Sequence, residues 1–192
     1  VEHIRHSQCE NPGGTIAVLV RSRSHLRDLV TLLQRESLPF QAQDIDPLNS
    51  RPVAQDLLAL TRALLHPADR VAWLAILRAP WAGLPLSDLV ELCEGDISTP
   101  VWNLLSRQPS QAELFPRFSK EGMDRLQRIV PVLAGALDKV GRLPLRRLVE
   151  STWLQLGGPA CLSEAGLSDA RQFFYLLERE ERGGDLESFA RL

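Results

Sequence analysis

Residues 15–20, TIAVLV, form an unbroken run of apolar or small side chains, and that pattern predicts a buried strand. Gly13-Gly14 precede the run and Arg21-Ser22-Arg23-Ser24 follow it. Residues 39–45, PFQAQDI, alternate more loosely, with Phe40, Ala42 and Asp44 set against Gln41, Gln43 and Ile45, and predict a second strand. Between the two, Ser24 is placed to cap a helix in which Leu26, Leu29, Val30 and Leu33 recur at helical spacing, and Pro39 closes the connection. The order is strand, helix, strand. Two parallel strands joined this way take a right-handed crossover, but two strands make no stable sheet alone. Their neighbours are therefore expected in a longer polypeptide, or the pair packs on the helices that follow.

After Asp46-Pro47 the period changes from that of strands to that of helices. RPVAQDLLALTRALLH, residues 51–66, places Val53, Leu57, Leu60 and Leu64 on one face, with Pro52 tolerated in the first turn. DRVAWLAILR, residues 69–78, is apolar almost all round and predicts a central, buried helix. Further helices are expected over 87–94, 99–107, 122–141, 144–158 and 168–180. Pro131 should kink or restart the third of these, 122–141, and Gly157-Gly158 should stop the next. No repeat period and no low-complexity tract interrupts the series. The expected fold is mainly α: residues 1–46 as a small strand-helix-strand fragment of an α/β domain, then residues 47–192 as a multi-helix bundle.

Composition narrows this picture. With 192 residues, 44% hydrophobic and 24% charged, the chain can bury a core and is expected to be globular. A formal net charge of −2 and a pI near 6.1 exclude a histone-like basic protein, so any nucleic-acid surface has to be local. Cys9, Cys93 and Cys161 lie far apart without a C-x-x-C, which gives no metal or disulfide framework and suits a reducing, cytoplasmic setting. No apolar run is long enough to span a bilayer, and the first residues lack a basic-then-apolar signal pattern. A start at Val1, and an end at DLESFARL where another helix begins, read as an excised piece of something longer.

Candidate chemistry is sparse. There is no G-x-x-x-x-G-K-[ST] and no G-x-G-x-x-G after a strand, so no phosphate-cradling loop, and the chain alone is not expected to hydrolyse a nucleotide. Glu36, Asp44 and Asp46 suggest a metal-dependent nuclease cluster, but no Glu-x-Lys follows, and Asp46-Pro47 has ordinary turn chemistry. His3 and His6 have the spacing of two ligands on one helix face, yet no third ligand accompanies them, and solvated N-terminal surface is the simpler account. No metal site and no catalytic residue is assigned.

Two basic clusters remain. Residues 139–147 hold Lys139, Arg142, Arg146 and Arg147 with no acid, enough to meet several phosphates, although a solvated helix junction is the simpler account. Arg21 and Arg23, with Ser22 and Ser24, stand where a strand ends and a helix begins, the place where open α/β sheets bind ligands. They read equally as a solvated corner and as a grip on phosphodiester that ignores the base. Trp73, Trp102 and Trp153 fall in apolar helical patterns and belong to the core, whereas Trp81, in the loop-like APWAGLP, stays open as a stacking residue.

The order of these elements resembles the UvrD/RecB-like superfamily 1 DNA helicases over roughly residues 15–90. The residues that carry the likeness are Arg21-Ser22 after the strand, Pro39-Phe40, Arg51 with Asp56-Leu57, His66-Pro67 with Asp69, and Arg78 with Pro80 and Gly83. The wording of RSRS and LRAPWAGL is most similar to the exonuclease V beta-subunit branch of helicase-nucleases. The resemblance implies a piece of the second RecA-like motor domain followed by its helical insertion. It gives Arg21, Ser22 and Arg23 a role in holding single-stranded DNA. Where many relatives have Asn, this chain has Arg23, which favours phosphate over base contact.

The function implied is that of part of an ATP-dependent DNA helicase in repair or recombination, acting on single-stranded or junction DNA. Partners would be the remaining motor domains of the same polypeptide and other repair-complex subunits. ATP and Mg²⁺ are implied for the full-length protein only. Two rivals predict different behaviour. A non-catalytic helical interaction module, from a helicase-like subunit that has lost its motor, would show an exposed apolar groove and no salt-dependent DNA binding. A freestanding metal-dependent nuclease would cleave DNA only with a divalent ion.

Overall fold

In the computed structural model, residues 1–21, 26–38, 40, 48–94, 98–106, 117–182 and 185–186 are described. The chain divides into two units, Val1–Pro47 and Leu48–Leu192.

In the second unit, local chemistry fixes where helices start. Helix α3 (Pro52–Leu65) opens on a proline, whose missing N–H would have had no intrahelical partner there. Asp69 caps α4 (Arg70–Arg78), its carboxylate accepting from the Ala72 N–H at 3.0 Å. Helices α5 (Leu86–Glu94) and α6 (Val101–Leu105) follow. Ser119 caps α7 (Lys120–Leu137) by accepting from the Gly122 N–H at 2.9 Å. Helix α8 (Leu145–Gln155) ends at Gly157, whose φ of +81° is the left-handed conformation that glycine adopts without a Cβ penalty. Ser163 caps α9 (Glu164–Glu180). A two-residue hairpin, β1 (Glu181–Arg182) with β2 (Asp185–Leu186), comes last, with Glu181 opposite Leu186.

Apolar burial assembles these helices. Helix α3 is the hub, with Val53, Ala54, Leu57, Leu60, Thr61, Ala63 and Leu64 all buried, and it packs on α4, α8 and α9. Thr61 is tolerated there because its hydroxyl donates to the Leu57 carbonyl at 2.8 Å. Trp73 of α4 is fully buried and stacks on Trp102 of α6, ring centroids 5.2 Å apart. Trp153 of α8 meets Phe174 of α9 at 5.6 Å. Asp88 of α5 is buried yet satisfied, accepting from the Ser119 hydroxyl at 2.6 Å and its N–H at 3.1 Å. Gly122 faces this carboxylate, and a Cβ there would stand 1.9 Å from Asp88 Oδ2.

The protein is mainly helical, as the periodicity predicts. Several details differ from the sequence expectation. Helix α4 is amphipathic instead of buried all round, because Val71 and Arg78 face solvent. Pro131 neither breaks nor restarts α7, which runs through it. Trp81 is only 3% exposed, in a turn that the Gly83 N–H closes on the Ala79 carbonyl at 2.7 Å, so it packs in the core and cannot stack on a base.

In Val1–Pro47, helix α1 (Glu2–Glu10) buries no side chain, and α2 (Leu26–Arg35) places Leu33 inward. Arg5 of α1 pairs with Glu36 at 2.6 Å. The strand expected over 15–20 does not appear among the described residues. Leu19 is 93% exposed, and no backbone hydrogen bond joins this run to another strand among the described residues. The second expected strand, apart from Phe40, lies outside the described residues.

Candidate nucleic-acid interface

The turn that joins α7 to α8 brings the 139–147 cations together around one helix end. Asp138 ends α7, and the Arg142 N–H donates to the Lys139 carbonyl at 3.0 Å, with Gly141 at a φ of +72° turning the chain. Pro144 then leads into α8, so Arg146 and Arg147 occupy its first turn. Helix N-termini carry a partial positive charge, and cations there repel it. The start of α8 therefore favours an anion.

Part of that demand is met from within the protein. The Glu181 carboxylate accepts from the Leu145 N–H at 2.8 Å and from the Arg146 N–H at 3.4 Å. The Arg146 guanidinium pairs with Glu150 at 3.4 Å and, at closer range, with Glu178. The hydrogen bond with Glu178 is the main reason that the Arg146 pKa is raised above its usual value. Glu150 lies one helical turn from Arg146 and its pairing follows from i,i+4 spacing. Glu178 and Glu181 lie more than thirty residues away, and no local pattern in the sequence points to them.

Lys139, Arg142 and Arg147 are exposed and make no ion pair among the described residues. The four cations of the window thus divide into one neutralised by acids and three turned to solvent. Arg21 is exposed at the end of the 15–20 run, while Ser22, Arg23 and Ser24 lie outside the described residues.

Several other positions singled out in the sequence have structural roles. Arg51, preceding α3, pairs with Asp169 of α9. Burial alone would raise the Asp69 carboxyl, but the Ala72 N–H and the Arg62 guanidinium outweigh it and hold its pKa below the usual value. His66 is the C-cap of α3. Arg78 is exposed, and Gly83 takes a φ of +63° in the turn after α4.

A scan against protein-family models and a search of curated proteins find no match for this chain.

Two cavities outside the window fit phosphate less well. One, about 270 Å³, is lined by uncharged residues including Ile4, Gln8, Thr15, Val18 and Phe40. The other, an open groove along α7, mixes Lys120, Arg125 and Arg128 with Glu121 and Asp124, and Arg125 is paired with Glu121. No group of three His, Cys, Asp or Glu able to hold a metal occurs among the described residues, where Glu36 pairs with Arg5. Asp44 and Asp46 lie outside them. Nor is any helix among the described residues long and apolar enough to cross a membrane.

Proposed function

We infer that this chain is a segment of an ATP-dependent DNA helicase of the UvrD/RecB-like kind, contributing single-stranded DNA contacts and a helical insertion. The observation that carries DNA contact is the placement of Lys139, Arg142 and Arg147, all exposed, around the positive end of α8. The helicase reading adds the order of Arg21-Ser22, Arg51, Asp56-Leu57, His66-Pro67 and Arg78 along the chain. In this reading ATP and Mg²⁺ bind other parts of a longer polypeptide. Arg21 and Arg23 grip one strand of single-stranded or junction DNA, and the 139–147 window, in the helical insertion, meets DNA phosphates.

Binding of fluorescein-labelled oligothymidine, followed by anisotropy across a salt series, tests this. Replacing Lys139, Arg142 and Arg147 together by Ala should weaken binding and flatten the dependence of log K on log salt by about 2, since each phosphate contact to a single strand contributes roughly 0.7. Equal affinity and slope in the variant would sink the DNA assignment. A partner-binding module is the second reading. It is favoured by Leu86 and Val90, both exposed and one turn apart on α5, and it predicts no salt-dependent DNA binding.

A further inference from the structure

The carboxylates that approach the basic window come from one place in the fold, the end of α9 and the first residue of the hairpin. Glu178 lies in the last turn of α9, and Glu181 is its C-cap, with its own N–H donated to the Leu177 carbonyl. Pairing of Glu181 with Leu186 across the hairpin fixes its backbone from the other side. So anchored, Glu181 presents its carboxylate to the Leu145 and Arg146 N–H groups, while Glu178 presents its own to the Arg146 guanidinium. These two donor types, amides at a helix N-terminus and an arginine fork, are those that hold a phosphate.

We propose that Glu178 and Glu181 form an autoinhibitory latch, occupying the phosphate position at the start of α8 so that a DNA phosphodiester must displace them to engage Arg146. The proposal rests on the DNA reading of the window and adds its regulation. With the latch closed, Lys139, Arg142 and Arg147 are the cations of this window that meet DNA. With it open, the Leu145 and Arg146 amides and the Arg146 side chain join them. No covalent step is involved, since one anion replaces another.

Several groups near the window bear on what competes. Asp138 is exposed before Lys139 and makes no contact with the α8 amides among the described residues, and Glu150 shares Arg146 with Glu178. Glu150 lies on α8 itself, one turn past Arg146, and so pairs with it whether or not the end of α9 stays in place. The latch consists of the two acids that a movement at the end of α9 would withdraw.

The test uses the full 192-residue chain and fluorescein-labelled oligothymidine at about 0.1 M salt, where the screening length is about 10 Å. Glu178→Gln plus Glu181→Gln keeps the size of both side chains and leaves an amide oxygen able to accept from the α8 amides. This variant should bind about fivefold more tightly than the wild type, with a salt slope steeper by roughly 0.7 for the phosphate gained. Glu178→Gln alone, which leaves the α8 cap intact, should give about half of that gain on a logarithmic scale and guards against a loss of helicity in the double variant. Glu164→Gln removes the same charge at the far end of α9, about 21 Å from Glu178 at 1.5 Å per residue, beyond the screening length, and should leave binding unchanged.

Wild-type affinity in the double variant, or an equal gain from Glu164→Gln, would overturn the latch while leaving DNA binding by the window in place. If neither the wild type nor the double variant binds, the latch and the DNA reading both fail. Tighter binding confined to the Glu178 and Glu181 variants upholds both.

Discussion

Asp56 shows how a single side chain records its surroundings. It lies on α3 beside Leu57, in the most buried helix of the protein, and desolvation pushes its carboxyl from the ordinary 3.8 up to about 6. A raised folded pKa means that the native chain holds a proton the unfolded chain has released. The associated stability is present below about pH 4 and is lost as pH rises through about 6. Asp56→Asn, which stays neutral, should therefore match the wild type near pH 4 and exceed it near pH 8. The margin should be about 1 kcal/mol, a figure reduced for the solvent that reaches a half-buried group. Urea unfolding at the two pH values measures it, and a margin independent of pH would contradict the assignment. At the same scale, Arg146 and Arg147 show the limit of reading cations from sequence. They are adjacent and of one type, yet one is held by Glu150 and Glu178 and the other is exposed. Glu150 follows from local spacing, but Glu178 is supplied by a distant turn of chain.

Among the elements, those whose pattern sits within one helix were legible. The stripe of Val53, Leu57, Leu60 and Leu64 predicted α3 and its buried face because an α-helix repeats every 3.6 residues whatever lies beyond it. The 15–20 run was not legible in the same way, since a strand needs a second strand before its backbone groups are paired, and its own residues cannot say whether one is present. Trp81 does lie in a turn but is not open for stacking, because the signals that end α4, Pro80 and Gly83, also fold the chain back and bury the residues between them. Pro131 makes a further point about elements. Its ring removes the hydrogen bond to the Gln127 carbonyl, yet α7 continues, so packing of Leu126, Ile129 and Leu133 outweighs the local loss. Pro131 itself is exposed, which leaves room for repair. Pro131→Ala should restore the missing bond and stabilise the second unit by about 2 kcal/mol, raising Tm by roughly 4–8 °C. An unchanged or lower Tm in calorimetry would mean that the packing around position 131 favours the proline.

For the molecule as a whole, the two units differ in what holds them. The contiguous apolar core runs from Val53 to Leu177, entirely inside Leu48–Leu192, whereas Leu33 is the only buried residue of Val1–Pro47 among those described. Folding free energy arises mainly from apolar burial, so cooperative stability should belong to the second unit. A chain of residues 48–192 alone should then keep its helical circular dichroism and unfold in one transition near the Tm of the full chain. The same piece separates the two basic clusters, because it retains Lys139, Arg142 and Arg147 and lacks Arg21 and Arg23. If the window at α8 supplies most of the phosphate contact, oligothymidine should bind the shorter chain with nearly unchanged affinity and salt slope. A folded piece that has lost binding would shift the contact to the arginines after the 15–20 run. A piece that fails to unfold cooperatively would show instead that the core from Val53 to Leu177 is not sufficient by itself.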